Sequence, residues 1–72
     1  MLPSPEKSPH IPDRFLRRPD VEHETGLGRT RLYELMSAGK FPRPYRIGAS
    51  VHWSFHEVQG WIEKQKQEAN AA

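Results

Sequence analysis

The chain has 72 residues, 35% of them hydrophobic and 28% charged, with a formal net charge of +2 and no cysteine. At that length one core supplies only about 3 to 5 kcal/mol and a separate catalytic domain has no room, so a single domain held by aromatic and aliphatic packing is expected, without disulfide or thiolate-metal staples. No apolar run approaches the roughly 18 residues of a membrane span, and residues 1–10 hold no signal-peptide stretch, which makes a soluble intracellular protein the default expectation.

The charge is unevenly placed. Between Arg29 and His52 five cations, Arg29, Arg31, Lys40, Arg43 and Arg46, stand against one acid, Glu34, a local sum of +4 that leaves −2 for the remainder. Positive potential gathered into a third of a chain is the footprint expected of a polyanion binder.

In chain order, residues 1–13 are rich in Pro and Ser and are expected to form an extended, mobile leader; the Pro9 to Pro12 spacing resembles a polyproline ligand, although a solvated tail is the preferred reading. The folded domain is expected over 14–67, with 68–72 as a frayed tail. Pro19 suits the start of a helix, and Asp20 and Glu22 favour its positive end, which predicts a short helix from Pro19 to Glu24 or Thr25 stopped by Gly26. Gly28 serves as the next cap, Leu27 is placed to staple onto Leu32, and a second helix is predicted from Arg29 to Ala38, closed by Gly39. Leu32, Leu35 and Met36 share one face of it, while Arg29, Thr30, Tyr33 and Glu34 project elsewhere. Two short helices around a glycine turn make a helix-turn-helix.

Pro42 and Pro44 forbid helical continuation, so the chain leaves in an extended form. Tyr45 and Ile47, then Val51 and Trp53, alternate with polar residues around "GAS", which predicts a hairpin. Ser54 and Glu57 are spaced as a capping box for a last helix with Phe55, Val58, Trp61 and Ile62 as its buried stripe. Gly60 inside it costs about 1 kcal/mol relative to Ala. The fold class is therefore mainly α with a small β-hairpin, a winged helix-turn-helix. Trp53, Phe55, Val58, Trp61 and Ile62 are read as core.

The residues themselves carry a resemblance. "TGLGRTRLYELMSAGKFPRPYRIG" (25–48), followed by Trp53 and "EVQGWI" (57–62), resembles the prophage regulators of the AlpA family and the related small excisionases with MerR-like winged domains, over Arg14 to Ile62. The resemblance implies duplex-DNA binding, either to activate an integrase gene or to direct excision of an integrated element. It also implies that the second helix enters the major groove through Arg29, Thr30, Arg31 and Tyr33. Lys40, Arg43, Arg46 and Ser50 become wing and backbone contacts, and His52 joins them when protonated. Where relatives often carry a capping serine this chain has Gly28, and where they often carry a basic wing residue it has Ala49 or His52.

The chemistry of those side chains agrees with such a role. An arginine near the start of a recognition helix can donate to guanine O6 and N7. Residues two apart diverge by about 200°, so Arg29 and Arg31 are expected to divide between a base and a phosphate. Thr30 suits a phosphate or a thymine methyl, and Tyr33 a phosphate oxygen. No catalytic constellation stands out: "GLG" lacks the preceding strand of a nucleotide loop, and His52 and His56 are separated by the cap at Ser54, so neither enzymatic activity, cofactor nor metal is expected. The expected partner is double-stranded DNA, bound by several copies at neighbouring sites, with integrase or RNA polymerase as further partners and no membrane. Within that reading an architectural role in excision is favoured over a promoter regulator, because the chain carries no added effector segment. The rival is a protein-interaction module that binds an integrase without DNA.

Overall fold

A computed structural model describes residues 11–71. Its elements run β1 (Phe15–Leu16), α1 (Arg18–Thr25), α2 (Arg29–Ser37), β2 (Tyr45–Ile47), β3 (Ser50–Ser54) and α3 (Phe55–Ala71). Most of the predicted leader, with the Pro9 end of its polyproline-like spacing, lies outside the described residues.

Helix α1 begins at Arg18, one residue before Pro19, so the proline occupies a position whose N–H would have no intrahelical acceptor. Asp20 Oδ2 accepts the Arg17 N–H at 3.2 Å, and Arg18 Nε meets Glu22 Oε2 at 3.1 Å one turn on. Gly26 closes the helix at φ 76°, donating to the Glu22 carbonyl at 2.8 Å, a left-handed conformation that costs other residues about 1–2 kcal/mol. Thr25 reinforces this corner: its hydroxyl donates to the Val21 carbonyl and accepts the Leu27 N–H. Helix α2 then starts from Gly28, which offers no side-chain cap.

The end of α2 is a Schellman motif. The Lys40 N–H reaches the Leu35 carbonyl at 2.8 Å, the Gly39 N–H reaches the Met36 carbonyl at 3.0 Å, and Gly39 takes φ 73°. The helix therefore ends at Ser37, and Ala38, expected as its last residue, is its cap. Beyond it Phe41 turns inward, 5% exposed, and its ring meets that of Trp61 edge-on at 4.8 Å. Trp61 Nε1 donates to the Lys40 carbonyl at 2.7 Å, which fastens the proline-rich connection to α3.

The predicted hairpin is present, with Gly48 and Ala49 as a two-residue turn between Ile47 and its partner Ser50. A third strand extends it. Phe15 and Leu16 pair antiparallel with Ser54 and Trp53, giving the order β1-β3-β2. Two residues are too short a run to show a period of two, and their pairing partner lies far along the chain, so local patterning predicted only the hairpin.

The core lies where both helices of the turn meet the sheet and α3. Val21, Leu32, Trp53 and Val58 are completely buried, with Leu16 and Phe41 nearly so. Leu27, Leu35, Met36, Phe55, Trp61 and Ile62 complete it from partly exposed positions. Asp13 and Arg14, at the border of the predicted leader and domain, both engage α3. The Arg14 carbonyl accepts the Phe55 N–H, and its guanidinium stacks 3.9 Å above the Phe55 ring. At the other end α3 continues as helix through Ala71, past the predicted limit near Gln67, and residues 63–71 are exposed throughout.

Candidate nucleic-acid interface

The burial of Leu32 sets the orientation of α2. With Leu32 inward, successive steps of about 100° turn Thr30 and Glu34 away from the core, one helical turn apart. Arg29, Thr30, Tyr33, Glu34 and Ser37 border one shallow hollow on the exposed side of the helix. Tyr33 is 38% exposed, which leaves its hydroxyl end outside the packed core.

Arg31 leaves the helix in another direction. It borders a groove of about 640 Å³ between α2 and α3, together with Lys40 and Lys64, over a floor that includes Leu35, Phe41 and Trp61. The expected divergence of Arg29 and Arg31 is thus present in the structure. Arg31 Nη1 approaches Glu34 Oε1 at 3.4 Å, with both side chains more than half exposed, 63% and 60%. An exposed pair of that kind contributes little to stability, so both groups are available to another molecule.

The wing divides its residues between two faces. Tyr45 pairs with His52 and Ile47 with Ser50, which places these four on one side, while Arg46 pairs with Val51 on the other. His52 is half-buried against the Phe15 ring, with centroids 5.7 Å apart, and Phe15 in turn meets Tyr45 at 6.1 Å. Arg43, Arg46 and Ser50 are exposed, and so is Lys40. The structure therefore groups Arg29, Thr30 and Tyr33, sets Arg31 and Lys40 beside one another at the α2–α3 groove, and keeps Arg46 apart from Ser50 and His52.

Side-chain hydrogen bonds hold the wing to the last helix. The Tyr45 hydroxyl donates to Glu57 Oε2 at 2.7 Å, and that bond to the neutral phenol, with the neighbouring carboxylate charge, raises the Tyr45 pKa above its usual value. The predicted capping box at Ser54 is half present: Ser54 Oγ accepts the Glu57 N–H at 3.2 Å, but the Glu57 carboxylate is turned to Tyr45. Asp13 takes up the remaining cap, as its Oδ1 accepts the His56 N–H at 2.9 Å.

Several polar residues bordering these surfaces had no place among the sequence-derived contacts, Gln65 and Glu68 at the groove among them. Glu34 and Ser37 share the hollow with Arg29, and their positions four and seven residues beyond Thr30 are the signal that marks them. Lys64 reaches the groove from α3, and no local pattern links it to Arg31 and Lys40.

The second helix of the helix-turn-helix thus stands with its polar side exposed beside a three-stranded sheet. The family model described as "Prophage CP4-57 regulatory protein (AlpA)" matches residues 14–66. The chain belongs to the AlpA family of prophage regulatory proteins. A curated relative of this AlpA-family chain, "Uncharacterized protein ORF88" of Enterobacteria phage P4, is 43% identical over 51 residues, covering 69% of this chain and 58% of that protein. The AlpA-family chain thus spans less than two thirds of that relative's length. No solved structure matches it. Among the described residues, no helix is long and apolar enough to cross a membrane.

Proposed function

We propose that this AlpA-family protein binds specific duplex DNA at an integrated genetic element, with α2 in the major groove and the wing against the flanking backbone. The observation that supports it most is the exposed side of α2, where Arg29, Thr30 and Tyr33 stand together while Leu32 on the opposite side is fully buried. A basic helix held by its apolar side and bare on its polar side is suited to insertion in a groove about 12 Å wide. In this reading Arg29 takes a guanine edge, Thr30 a thymine methyl or phosphate, and Tyr33 a phosphate oxygen. Arg31, Lys40, Arg43 and Arg46 take phosphates, with Ser50 and, when protonated, His52 as further contacts at the wing.

The protein acts without catalysis, as a recombination directionality factor that assists an integrase or as a regulator at a promoter that meets RNA polymerase. A single module of this size buries only about 600 to 1,000 Å² on DNA, so several copies bind adjacent sites to reach useful affinity. It works in the bacterial cytoplasm, on the nucleoid when bound.

Salt dependence tests the proposal. Neutralising four to six phosphates gives log affinity a slope against log salt of about −4 to −5. A flat response, or no duplex binding at low salt, would overturn it in favour of an integrase-binding module without DNA, for which the groove floored by Phe41 and Trp61 is the available surface. Footprinting then separates the two roles. Adjacent protected repeats with bending beside an attachment region indicate excision, whereas one protected site upstream of a gene indicates transcriptional regulation.

A further inference from the structure

Glu34 is the only acid between Glu24 and Glu57, and it occupies the side of α2 that the DNA reading turns toward the duplex. A carboxylate there is repelled by phosphates, at a cost that grows as water is excluded, unless a hydrogen-bond donor meets it. We propose, on the basis of that reading, that Glu34 is a specificity-determining residue that accepts a hydrogen bond from the exocyclic N4 amino group of a cytosine in the major groove.

The placement and the chemistry agree. Glu34 lies one helical turn from Thr30 in the same hollow as Arg29, so a helix seated for those two side chains carries Glu34 to a base edge. Its side chain is 60% exposed, and the contact from Arg31 at 3.4 Å is long enough to leave carboxylate lone pairs free. In the major groove, the C5-methyl and O4 of thymine and the O6 and N7 of guanine offer a carboxylate no donor; cytosine offers N4–H₂. Adenine also carries an amino group, but its N7 acceptor lies beside it and opposes a second carboxylate oxygen.

The effect of removing the carboxylate has opposite signs on two kinds of DNA, which a purely structural role does not produce. The experiment selects bound duplexes from a randomised library with the whole wild-type chain, Glu34→Ala and Glu34→Gln, then measures affinities for the selected site and an unrelated duplex. Wild type is expected to favour cytosine at one position by about tenfold. Glu34→Ala is expected to flatten that position alone and to bind the unrelated duplex about two- to fivefold more tightly, because a charge facing phosphates is gone and Arg31 is released. Glu34→Gln is expected to move the preference toward adenine, which an amide reads through N6 and N7. Identical base preferences in wild type and both variants would overturn the proposal while leaving DNA binding intact. A wild-type protein that enriches no sequence would instead overturn the DNA reading, and this inference with it. Circular dichroism confirms that the variants fold, as expected for an exposed side chain on a helix surface.

Discussion

Ser54 Oγ lies 2.6 Å from Asp13 Oδ2, joining two residues 41 positions apart at the point where the sheet becomes α3. The serine hydroxyl donates to the carboxylate and its oxygen accepts the Glu57 N–H, while the other carboxylate oxygen receives the N–H groups of Arg14 and His56. Asp13 is thereby an N-cap for α3 supplied from outside the helix. It lies two residues before the first residue of β1.

This geometry has a pH signature. The hydrogen bond from Ser54, then that from the His56 backbone, lowers the Asp13 pKa below the ordinary aspartate value. A carboxyl depressed in the folded state stabilises the fold above its unfolded pKa, and that contribution is lost as pH falls through the lower folded value. Thermal unfolding from pH 7 to 2 should therefore show wild type more stable than Asp13→Asn at neutral pH. The gap should close below about pH 4.

The glycines respond differently to substitution. Gly26→Ala forces a Cβ into φ 76° and should cost about 1 kcal/mol or more, loosening the corner that aims α2. Gly28→Ser has an ordinary φ of −83° and open space around the new Cβ, and should gain a few tenths of a kcal/mol by adding the missing cap. Gly60→Ala should gain about 1 kcal/mol, since a Cβ there meets nothing within 4 Å and close packing is not what the glycine serves. Denaturant unfolding of the three variants gives the signs.

Trp61 joins α3 to the connection that follows α2. Trp61→Phe keeps an edge-on ring near Phe41 but removes the donor to the Lys40 carbonyl, and should cost about 0.5 to 1.5 kcal/mol. Hydrogen exchange at the amides of Lys40, Phe41 and Arg43 should accelerate with it, because that segment depends on α3 for its anchorage.

Arg29 and Arg31 leave α2 toward different surfaces and should fail differently. Arg29→Ala should cost about 1 to 3 kcal/mol at the preferred site and relax one base position. Arg31→Ala should weaken all sequences alike and reduce the salt slope by about one. Titrations at several salt concentrations, on specific and unrelated duplexes, separate the two patterns.

Much of this architecture was legible in local patterns. Gly26, Gly28 and Gly39 bracket α1 and α2, the spacing of Leu32, Leu35 and Met36 marks the buried side of α2, and the alternation from Tyr45 to Trp53 marks the hairpin. Each signal acts over one or two turns of chain, within which backbone preference and side-chain periodicity are expressed directly. The clustering of cations between residues 29 and 52 required no fold to be seen either.

Long-range contacts decided the rest. Whether Phe15 and Leu16 form a strand depends on the free edge of β3, and whether Asp13 is tail or cap depends on Ser54 arriving beside it. Glu57 carries the spacing of a capping box, yet the Tyr45 hydroxyl, twelve residues away in sequence, takes its carboxylate. The meeting of Arg31, Lys40 and Lys64 at one groove likewise follows from the packing of α3, not from their spacing along the chain. Sequence determined the elements and the charge they carry, because those arise from neighbours in the chain. Tertiary structure decided the partners of each polar group, because a hydrogen bond or a shared surface depends on distance in space.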